Sequence, residues 1–149
     1  MWRSLSNWLA NRLKRYEDAE AAYRKAIELN QNIAELAELW SGLAKLLTDH
    51  LKRYEDAEAA CRKAIELTPN GSWPWDILAA VLCNLKRFEE AEAACHRAIE
   101  IDPNKALSWQ GLGRVLHMCL KRYEEAEAAY RKSIELDPNA PWAWECSHH

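Results

Sequence analysis

One sequence unit recurs four times along this chain, and this repetition constrains the fold more than any other feature. The string Lys-Arg-aromatic recurs in steps of 38, 34 and 35 residues, with its aromatic residue at Tyr16, Tyr54, Phe88 and Tyr123. A separate series of tryptophans recurs in steps of 38, 35, 34 and 35 residues, at Trp2, Trp40, Trp75, Trp109 and Trp144. Since two independent markers give one period, we expect an array of similar units that bury their apolar faces against their neighbours.

Each unit is predicted to contain two helices. In the first unit, the apolar residues between Tyr16 and Leu29 recur at helical spacing, which indicates the second helix. Ion pairs four residues apart are predicted on the exposed side of the second helices: Glu20 with Arg24, Glu58 with Arg62, and Glu127 with Arg131. Because the residue before a proline avoids the α conformation, three second helices should end just before Pro69, Pro103 and Pro138.

The first helix of each unit carries the pattern Trp-x-x-Leu-small-x-x-Leu, as in Trp109, Leu112, Gly113 and Leu116. Residues three and four positions apart form one helix face, and the small residue lets the paired helix approach closely. The chain has 24 alanines but only two valines and two threonines, which disfavours β-strands. We therefore expect an all-α fold.

Two irregularities in the spacing predict local changes in the helices. Three extra residues separate the first two units, where Asn32 with Glu35 resembles a capping box, so the next helix is predicted to begin near Ile33. We interpret this insertion as tolerated, with a functional protrusion as the alternative. The step from Trp to the Lys-Arg aromatic is 13 residues in the third unit and 14 in the others. The extra residue should lengthen the turn between paired helices.

The repeated pattern resembles the tetratricopeptide repeat family, whose signature is Trp-x2-Leu-Gly-x2-Tyr, then Ala-x3-Phe, then Pro. The match covers essentially the whole chain, although the signature glycine is kept only as Gly113, leucine replaces the first-helix tyrosine, and Gln31 replaces the first proline. The resemblance implies a right-handed α-α superhelix (solenoid) of four helix-turn-helix repeats plus a C-terminal helical stub. The repeats are about 1–31, 35–69, 70–103 and 104–138 of a single domain, 1–149, with a truncated fifth repeat or cap at 139–147.

The resemblance further implies a concave partner-binding face on the first helices. In this sequence that face comprises Arg3, Asn7, Lys45, Trp73, Asp76, Val81, Leu107, Gln110, Arg114 and His117, with Ala10, Glu38, Ser41 and Thr48 as further members. One subset of the family binds the C-terminal carboxylate of heat-shock chaperones through a clamp of basic and Asn residues. Arg3 and Asn7 resemble the first half of that clamp. The other clamp positions fall on Gly42, Trp73 and Ile77, so that ligand is disfavoured.

The predicted face mixes cationic and apolar side chains. We therefore expect a protein-interaction scaffold whose partner is a protein, or an extended or helical peptide, with acidic and apolar residues. The four Lys-Arg pairs add a basic edge, which we interpret as solvated turns, with a strip for an acidic partner as the alternative. Nearby glutamates largely cancel the field of this edge.

Three other functions remain open alternatives. The chain could be a structural or oligomerisation module that self-associates through its ends, with Trp142 and Trp144 as the contacts. It could also be a fragment, or a designed repeat protein without a specific ligand. Other helical repeats read RNA bases, but the net charge of −3 and pI of about 6.0 disfavour a nucleic-acid partner.

The tryptophans are expected to divide into two groups. Trp40, Trp75 and Trp109 lie on the periodic face of the first helices, which predicts that they belong to the core. Trp73 lies two residues before Trp75 and should point towards the inner face. An exposed tryptophan there would be a candidate hot spot for a partner.

No pattern for catalysis or cofactor binding is present. Serines and histidines form no triad spacing, and no glycine-rich phosphate loop occurs, so we expect neither enzymatic activity nor a cofactor. His117 and Cys119 lie two positions apart and do not share a helix face, so no metal site is expected. No apolar run approaches about 18 residues, which predicts no membrane span.

The five cysteines indicate packing more than redox chemistry. Their number is odd and no C-x-x-C occurs, which favours a reducing, cytoplasmic location. Cys61 and Cys95 occupy the aromatic slot of the second helix, so we expect them to be buried, with a redox role as the alternative. An intervening helix layer of roughly 8–10 Å would put these two beyond disulfide reach.

Overall fold

The structure, a computed structural model, describes residues 2–139, and for residues 2–11 and 13 it describes the backbone alone. The described residues form seven α-helices and one π-helical turn, with no strand among them. These are α1 (Trp2–Leu29), α2 (Ile33–Asp49), α3 (Tyr54–Leu67), α4 (Ser72–Asn84), α5 (Phe88–Ile101), α6 (Ala106–Arg114), the π-turn (Val115–Cys119) and α7 (Tyr123–Leu136). The predicted all-α helical-repeat fold is confirmed.

The chain divides into two compact units, Met1–Pro69 and Asn70–His149, which are described separately. In the first unit α2 and α3 form a helical hairpin, and α1 packs against α2. Its core contains Leu43, Leu47 and Cys61, each with no exposed surface. Alanines of α3 complete this core and leave room for the leucines of α2, as the sequence pattern predicts.

The second unit repeats this hairpin twice, as α4 with α5 and as α6 and the π-turn with α7. Helix α6 contacts both α4 and α5. The leucines of the Trp-Leu pattern, Leu78, Leu82, Leu112 and Leu116, are at most 4% exposed. Burying each such side chain contributes about 1.5–3 kcal/mol, so the first-helix leucines are the main apolar anchors of this unit.

Helix α1 departs from the prediction for the first unit. The sequence predicts a turn at Lys14, but the helix runs without interruption from Trp2 to Leu29. The later turns place a lysine in the left-handed region, at Lys52 (φ 55°), Lys86 (φ 63°) and Lys121 (φ 56°), which costs an L-residue roughly 1–2 kcal/mol. Helices α3, α5 and α7 also have no side-chain N-cap bond. The Leu-Lys-Arg string therefore permits a turn without imposing one.

The start of α2 is encoded locally, as predicted. Helix α2 begins at Ile33, and the side chain of Asn32 accepts hydrogen bonds from the backbone N–H groups of Ala34 and Glu35. The reciprocal half of the capping box differs, because the Glu35 carboxylate accepts from the Asn30 side-chain amide at 2.7 Å. Asn30 in turn accepts from the Asn32 backbone N–H, so two asparagines share the capping role.

The extra residue between Trp and the Lys-Arg aromatic lengthens the loop in the second unit, as predicted, but not in the fourth. Residues 50–53 separate α2 from α3, whereas only 85–87 separate α4 from α5 and only 120–122 separate the π-turn from α7. In the second and fourth units the turn leucine donates its N–H to a carbonyl five residues earlier: Leu51 to Leu46 at 3.3 Å, and Leu120 to Val115 at 3.1 Å. In the third unit the bond spans the usual four residues, from Leu85 to Val81. In the fourth unit the extra residue is absorbed within the helix as the π-turn.

The second helices end where proline predicts. Helices α3, α5 and α7 each end two residues before a proline, so one non-helical residue lies between the helix and the proline. Those capping residues, Thr68, Asp102 and Asp137, have φ of −135°, −139° and −147° and ψ of 82–87°. This is non-helical backbone, consistent with the steric effect of the following proline ring.

Candidate functional site

The first-helix residues predicted to bind a partner occur in both units, so each group is described within its own unit. In the first unit Lys45 is exposed on α2 and pairs with Asp49 at 3.1 Å, one helical turn away. Arg3, Asn7 and Ala10 lie in α1, where only the backbone is described. The side chain of Lys45 is therefore the described cationic group of this part of the predicted face.

The second unit exposes two large apolar side chains at matching positions. Trp73 is 39% exposed at the start of α4, and Leu107 is 44% exposed at the start of α6. Each lies two residues before the repeat tryptophan of its helix, Trp75 or Trp109. Helices α4 and α6 contact each other. Because the repeat register is the same, the two exposed side chains mark corresponding points on neighbouring first helices.

Polar and cationic groups continue this surface along α6 and the π-turn. Gln110 is half-buried, and Arg114 and His117 are exposed. The ring of His117 meets Tyr123 and Tyr130 of α7 edge-on, with centroid distances of 5.4 Å and 6.4 Å. The His117 imidazole is thereby positioned by two aromatic rings, while Arg114 projects from the helix before it.

Two predicted contact residues of the second unit do not fit a partner surface. Val81 has no exposed surface, because it belongs to the core of the α4–α5 hairpin. Asp76 is already engaged: its carboxylate accepts from Lys105 Nζ at 2.8 Å and from Ser108 Oγ at 2.8 Å. The Asp76 side chain, 13% exposed, ties α4 to the start of α6. The prediction of an exposed Val81 was wrong, and Asp76 has a structural bonding pattern.

Three further first-unit residues of the predicted partner-binding face differ in how far they are buried. Ser41 and Thr48 are 1% and 6% exposed. Their hydroxyls donate to the carbonyls of Ala37 and Ala44, at 2.9 Å and 2.7 Å, within α2. Glu38 is exposed on the same helix. The two hydroxyl side chains are satisfied inside the helix and leave no free group for a partner.

The repeat tryptophans are half-buried, which differs from the predicted core positions. Trp40, Trp75 and Trp109 each keep intermediate exposure. The indole N–H of Trp109 donates to the carbonyl of Pro103 at 2.8 Å. The indole N–H of Trp75 is buried and has no hydrogen-bond acceptor among the described residues. The leucines and alanines beside these rings, not the rings themselves, occupy the fully buried positions. Trp142 and Trp144 lie outside the described residues.

Ion pairs between successive second helices were missed by the sequence reasoning. The three predicted pairs within helices form, at 2.6–3.0 Å. In addition, Arg53 donates to Glu20 of α1 at 2.6 Å, and Arg122 donates to Glu92 of α5 at 2.8 Å. Hydrogen bonding to Glu92 is the largest of the effects that raise the pKa of Arg122. The only sequence signal is the repeat itself, which places each Arg about one period after a Glu.

These bonds change the interpretation of the basic edge. The Arg of the Lys-Arg string binds acidic side chains: Arg53 pairs with Asp56, Arg87 with Glu90, and Arg122 with Glu125. The preceding lysines, Lys52, Lys86 and Lys121, are exposed. These arginines are therefore already paired with carboxylates, and Arg53 and Arg122 also join successive helices, while the lysines face solvent.

The predicted burial of the slot cysteines is confirmed. Cys61 is fully buried and Cys95 is 2% exposed, and both are free thiols. Burial raises the pKa of Cys61 to about 12 and raises that of Cys95 further above its ordinary range. Both side chains are therefore protonated at neutral pH and act as small apolar packing groups.

The described residues contain no group of three or more His, Cys, Asp or Glu side chains arranged to hold a metal ion. None of the described helices is long and apolar enough to cross a membrane. What the first-helix surface of the second unit offers is apolar contact area, hydrogen-bonding groups and a cation. These are the means of recognising a peptide segment by shape and charge.

Helical hairpins repeated at about 34 residues, with exposed side chains at corresponding positions, define a helical-repeat protein. Two family models described as tetratricopeptide repeat match residues 8–72 and 72–139. The chain belongs to the tetratricopeptide repeat family. No curated protein matched the sequence significantly.

Solved tetratricopeptide repeat structures share the fold at low sequence identity. The Arabidopsis OM64 TPR domain matches with a TM-score of 0.72 and 24% identity, over 78% of this chain and 95% of that one. YrrB, described as a TPR protein with an unusual peptide-binding site, has a TM-score of 0.74 and 22% identity, over 91% and 68%. The first TPR of Spaghetti (RPAP3), bound to the HSP90 peptide SRMEEVD, matches with a TM-score of 0.69 and 20% identity, over 77% of this chain and 93% of that one.

Proposed function

We propose that this chain is a non-catalytic protein-interaction scaffold that binds a peptide segment carrying apolar and acidic residues on the surface of its first helices. The observation that carries the proposal is the matched exposure of Trp73 and Leu107 on α4 and α6. Large apolar side chains are expensive to leave in water, and exposed tryptophan is enriched at binding hot spots. A repeat that packs its leucines yet leaves both these positions exposed has the composition of a docking surface.

The charge of the proposed ligand follows from Arg114. Most arginines of the second unit have a carboxylate partner, as Arg97 has in Glu100 and Arg131 in Glu127. Arg114 is exposed and, among the described residues, forms no ion pair. A guanidinium without an internal partner, on the same helix as Leu107, favours a carboxylate on the ligand.

The solved relatives support a peptide ligand in general and not one particular peptide. The structure of Spaghetti (RPAP3) holds the HSP90 peptide SRMEEVD, and YrrB is described as having an unusual peptide-binding site. In this chain the clamp positions for a chaperone C-terminal carboxylate fall on Gly42, Trp73 and Ile77, and Ile77 is 7% exposed. We therefore propose that the acidic groups recognised here are side chains of the ligand.

The test is a selection with a phage library of random dodecapeptides, using the full chain as bait. We expect enriched peptides to combine Asp or Glu with Trp, Leu or Phe. The enriched peptides are then labelled and titrated against Trp73→Ala/Leu107→Ala and against Arg114→Glu. Each variant should weaken binding at least about tenfold, which corresponds to about 1.4 kcal/mol.

Matched controls separate recognition from general charge and hydrophobicity. Lys132→Glu changes the charge by the same amount on the second helix α7 and should leave affinity within about twofold. The synthetic peptide SRMEEVD should bind no more tightly than its scrambled sequence. Enriched peptides that bind wild type and both test variants equally would disprove the proposed surface. Enrichment of basic peptides would disprove the proposed ligand class.

A further inference from the structure

The second half of α1 exposes a face that the other second helices bury. Ala22 is exposed, and Ala19, Tyr23 and Ala26 are half-buried. These four residues form the hairpin face of α1. The corresponding residues of α3 and α5 are at most 2% exposed, because the first helix of each hairpin covers them: Ala57, Ala60, Cys61 and Ala64, and Ala91, Ala94, Cys95 and Ala98.

The segment that would cover this face in a hairpin is part of the same helix. Residues 2–9 carry the Trp-x-x-Leu-small-x-x-Leu pattern of the covering helices, as Trp2, Leu5, Ser6 and Leu9. Helix α1, however, continues without a turn through all of its 28 residues, a length of about 42 Å. Residues 2–13 therefore extend away from the hairpin face of their own chain. While α1 stays continuous, the segment and the face can meet only between two chains.

The two halves of α1 carry opposite charge. Residues 2–15 contain four basic side chains and no acidic one, whereas residues 16–29 contain four acidic and two basic side chains. Antiparallel pairing of two α1 helices would place the basic half of each against the acidic half of the other, and parallel pairing would juxtapose like charges. The charge pattern therefore favours a second copy of this chain, in the antiparallel direction that a hairpin also has.

We propose that two copies of this chain form a two-fold symmetric dimer, in which residues 2–13 of each copy cover the hairpin face of the other. This arrangement is a domain swap, since each copy supplies the covering helix that the other copy lacks. A continuous α1 also avoids the left-handed lysine that the turns after α2 and α4 require, at Lys52 and Lys86.

The fourth unit indicates which residues meet across this interface. A Cβ atom added at Gly113 of α6 would lie 2.7 Å from the ring of Tyr130 on α7, so these two positions face each other. Aligning Trp2 with Trp109 makes Ser6 equivalent to Gly113, and Tyr23 equivalent to Tyr130. Ser6 of one copy therefore lies beside Tyr23 of the other.

The first experiment measures the mass of the full chain by analytical ultracentrifugation, at concentrations up to about 100 μM. We expect a species of twice 17.2 kDa. Ala22→Glu should raise the Kd of this dimer at least about tenfold, because each dimer would bury two added carboxylates.

Ala21→Glu is the matched control. It makes the same change one residue earlier, at a position whose equivalents Ala59 and Ala93 are also exposed. It should leave the Kd within about twofold, as is typical of surface substitutions. Circular dichroism should show equal helix content for the two variants, because both alanines are exposed in the single chain.

The second experiment distinguishes exchange between copies from a hairpin within one chain. Ser6→Cys and Tyr23→Cys are made as two separate variants, the second in a slot that holds Cys61 in α3 and Cys95 in α5. The two proteins are mixed in dilute solution, concentrated, treated with a short bifunctional maleimide and digested with trypsin. We expect mass spectrometry to find peptide 4–12 joined to peptide 16–24, a link that arises only between copies. Wild type, treated alike, identifies links among the native cysteines.

Three results would overturn the proposal. One is a monomer at every concentration. Another is a dimer that Ala22→Glu and Ala21→Glu weaken equally, which would show that a different surface holds the copies together. The third is absence of the 4–12 to 16–24 link from the mixture. Its formation within single chains of the double variant Ser6→Cys/Tyr23→Cys would then show that the first unit closes as a hairpin.

Discussion

At the scale of single residues, two glycines of α6 show what close packing requires. A Cβ atom added at Gly113 would lie 2.7 Å from two ring carbons of Tyr130 on α7. A Cβ atom added at Gly111, two residues earlier, would meet no neighbouring atom within 4 Å. Helix α7 can therefore press its tyrosine ring onto α6 only because position 113 lacks a side chain. As predicted, the small residue of the Trp-x-x-Leu-small-x-x-Leu pattern lets the paired helix approach closely.

We predict opposite effects for the two alanine substitutions. Gly113→Ala should lower the free energy of unfolding by about 1–3 kcal/mol, because the ring of Tyr130 must shift. Gly111→Ala should raise it by up to about 1 kcal/mol, since alanine is the better helix former and meets no neighbour. Urea unfolding followed by circular dichroism measures both. Equal effects of the two changes would contradict the proposed contact, and Tyr130→Leu should relieve part of the Gly113→Ala penalty.

The sequence predicts the exposure of side chains on this face where the repeat register determines it, but not where bonds from distant residues do. Trp73 lies outside the tryptophan register, which correctly indicates an exposed position. Asp76, three residues later, was assigned to the same face. Its bonds come from Lys105 and Ser108, which lie 29 and 32 residues further along the chain. No local pattern around Asp76 indicates that its carboxylate is already occupied.

At the scale of elements, helix boundaries are encoded unequally. The start of α2 follows from Asn32, whose side chain satisfies two backbone N–H groups, and the ends of three second helices follow from proline. Both signals are local, so the sequence predicts them correctly. The starts of α3, α5 and α7 have no side-chain cap and depend on a lysine with positive φ. No local cap determines where these helices start, and the same string remains helical within α1.

Replacing each of two equivalent lysines with glycine distinguishes the left-handed conformation of the turn from the helical conformation within α1. In the turn after α4, Lys86→Gly should raise the free energy of unfolding by about 0.5–1 kcal/mol, because glycine relieves the left-handed strain. In α1, Lys14→Gly should lower the stability of that helix by about 1 kcal/mol, because glycine is a poor residue within a helix. Urea unfolding and helical ellipticity measure both changes. A stabilising Lys14→Gly would show that the first unit turns at this position after all.

At the scale of the whole chain, net charge and local charge favour different partners. The net charge is −3, which opposes an acidic ligand at long range. Many of the described arginines are bound to glutamate or aspartate and contribute no free cation. The proposed attraction of an acidic peptide must therefore come from exposed groups such as Arg114, acting over a few ångströms. Composition alone cannot show which arginine is left without an internal partner.

The dependence of peptide binding on salt tests this balance. Raising NaCl from about 50 mM to about 500 mM shortens the screening length to about 4 Å. Binding of an acidic peptide from the library should then weaken about three- to tenfold, as expected for one or two exposed charge contacts. The same peptide with its acidic residues replaced by Gln or Asn should change less than about twofold, because its apolar contacts persist. Fluorescence polarisation measures both peptides with wild type and Arg114→Glu. With Arg114→Glu, added salt should no longer weaken binding of the acidic peptide, since it then screens the repulsion between the new glutamate and the acidic residues of the peptide. Equal salt dependence of the two proteins would mean that the net field of the chain, and not Arg114, governs the interaction.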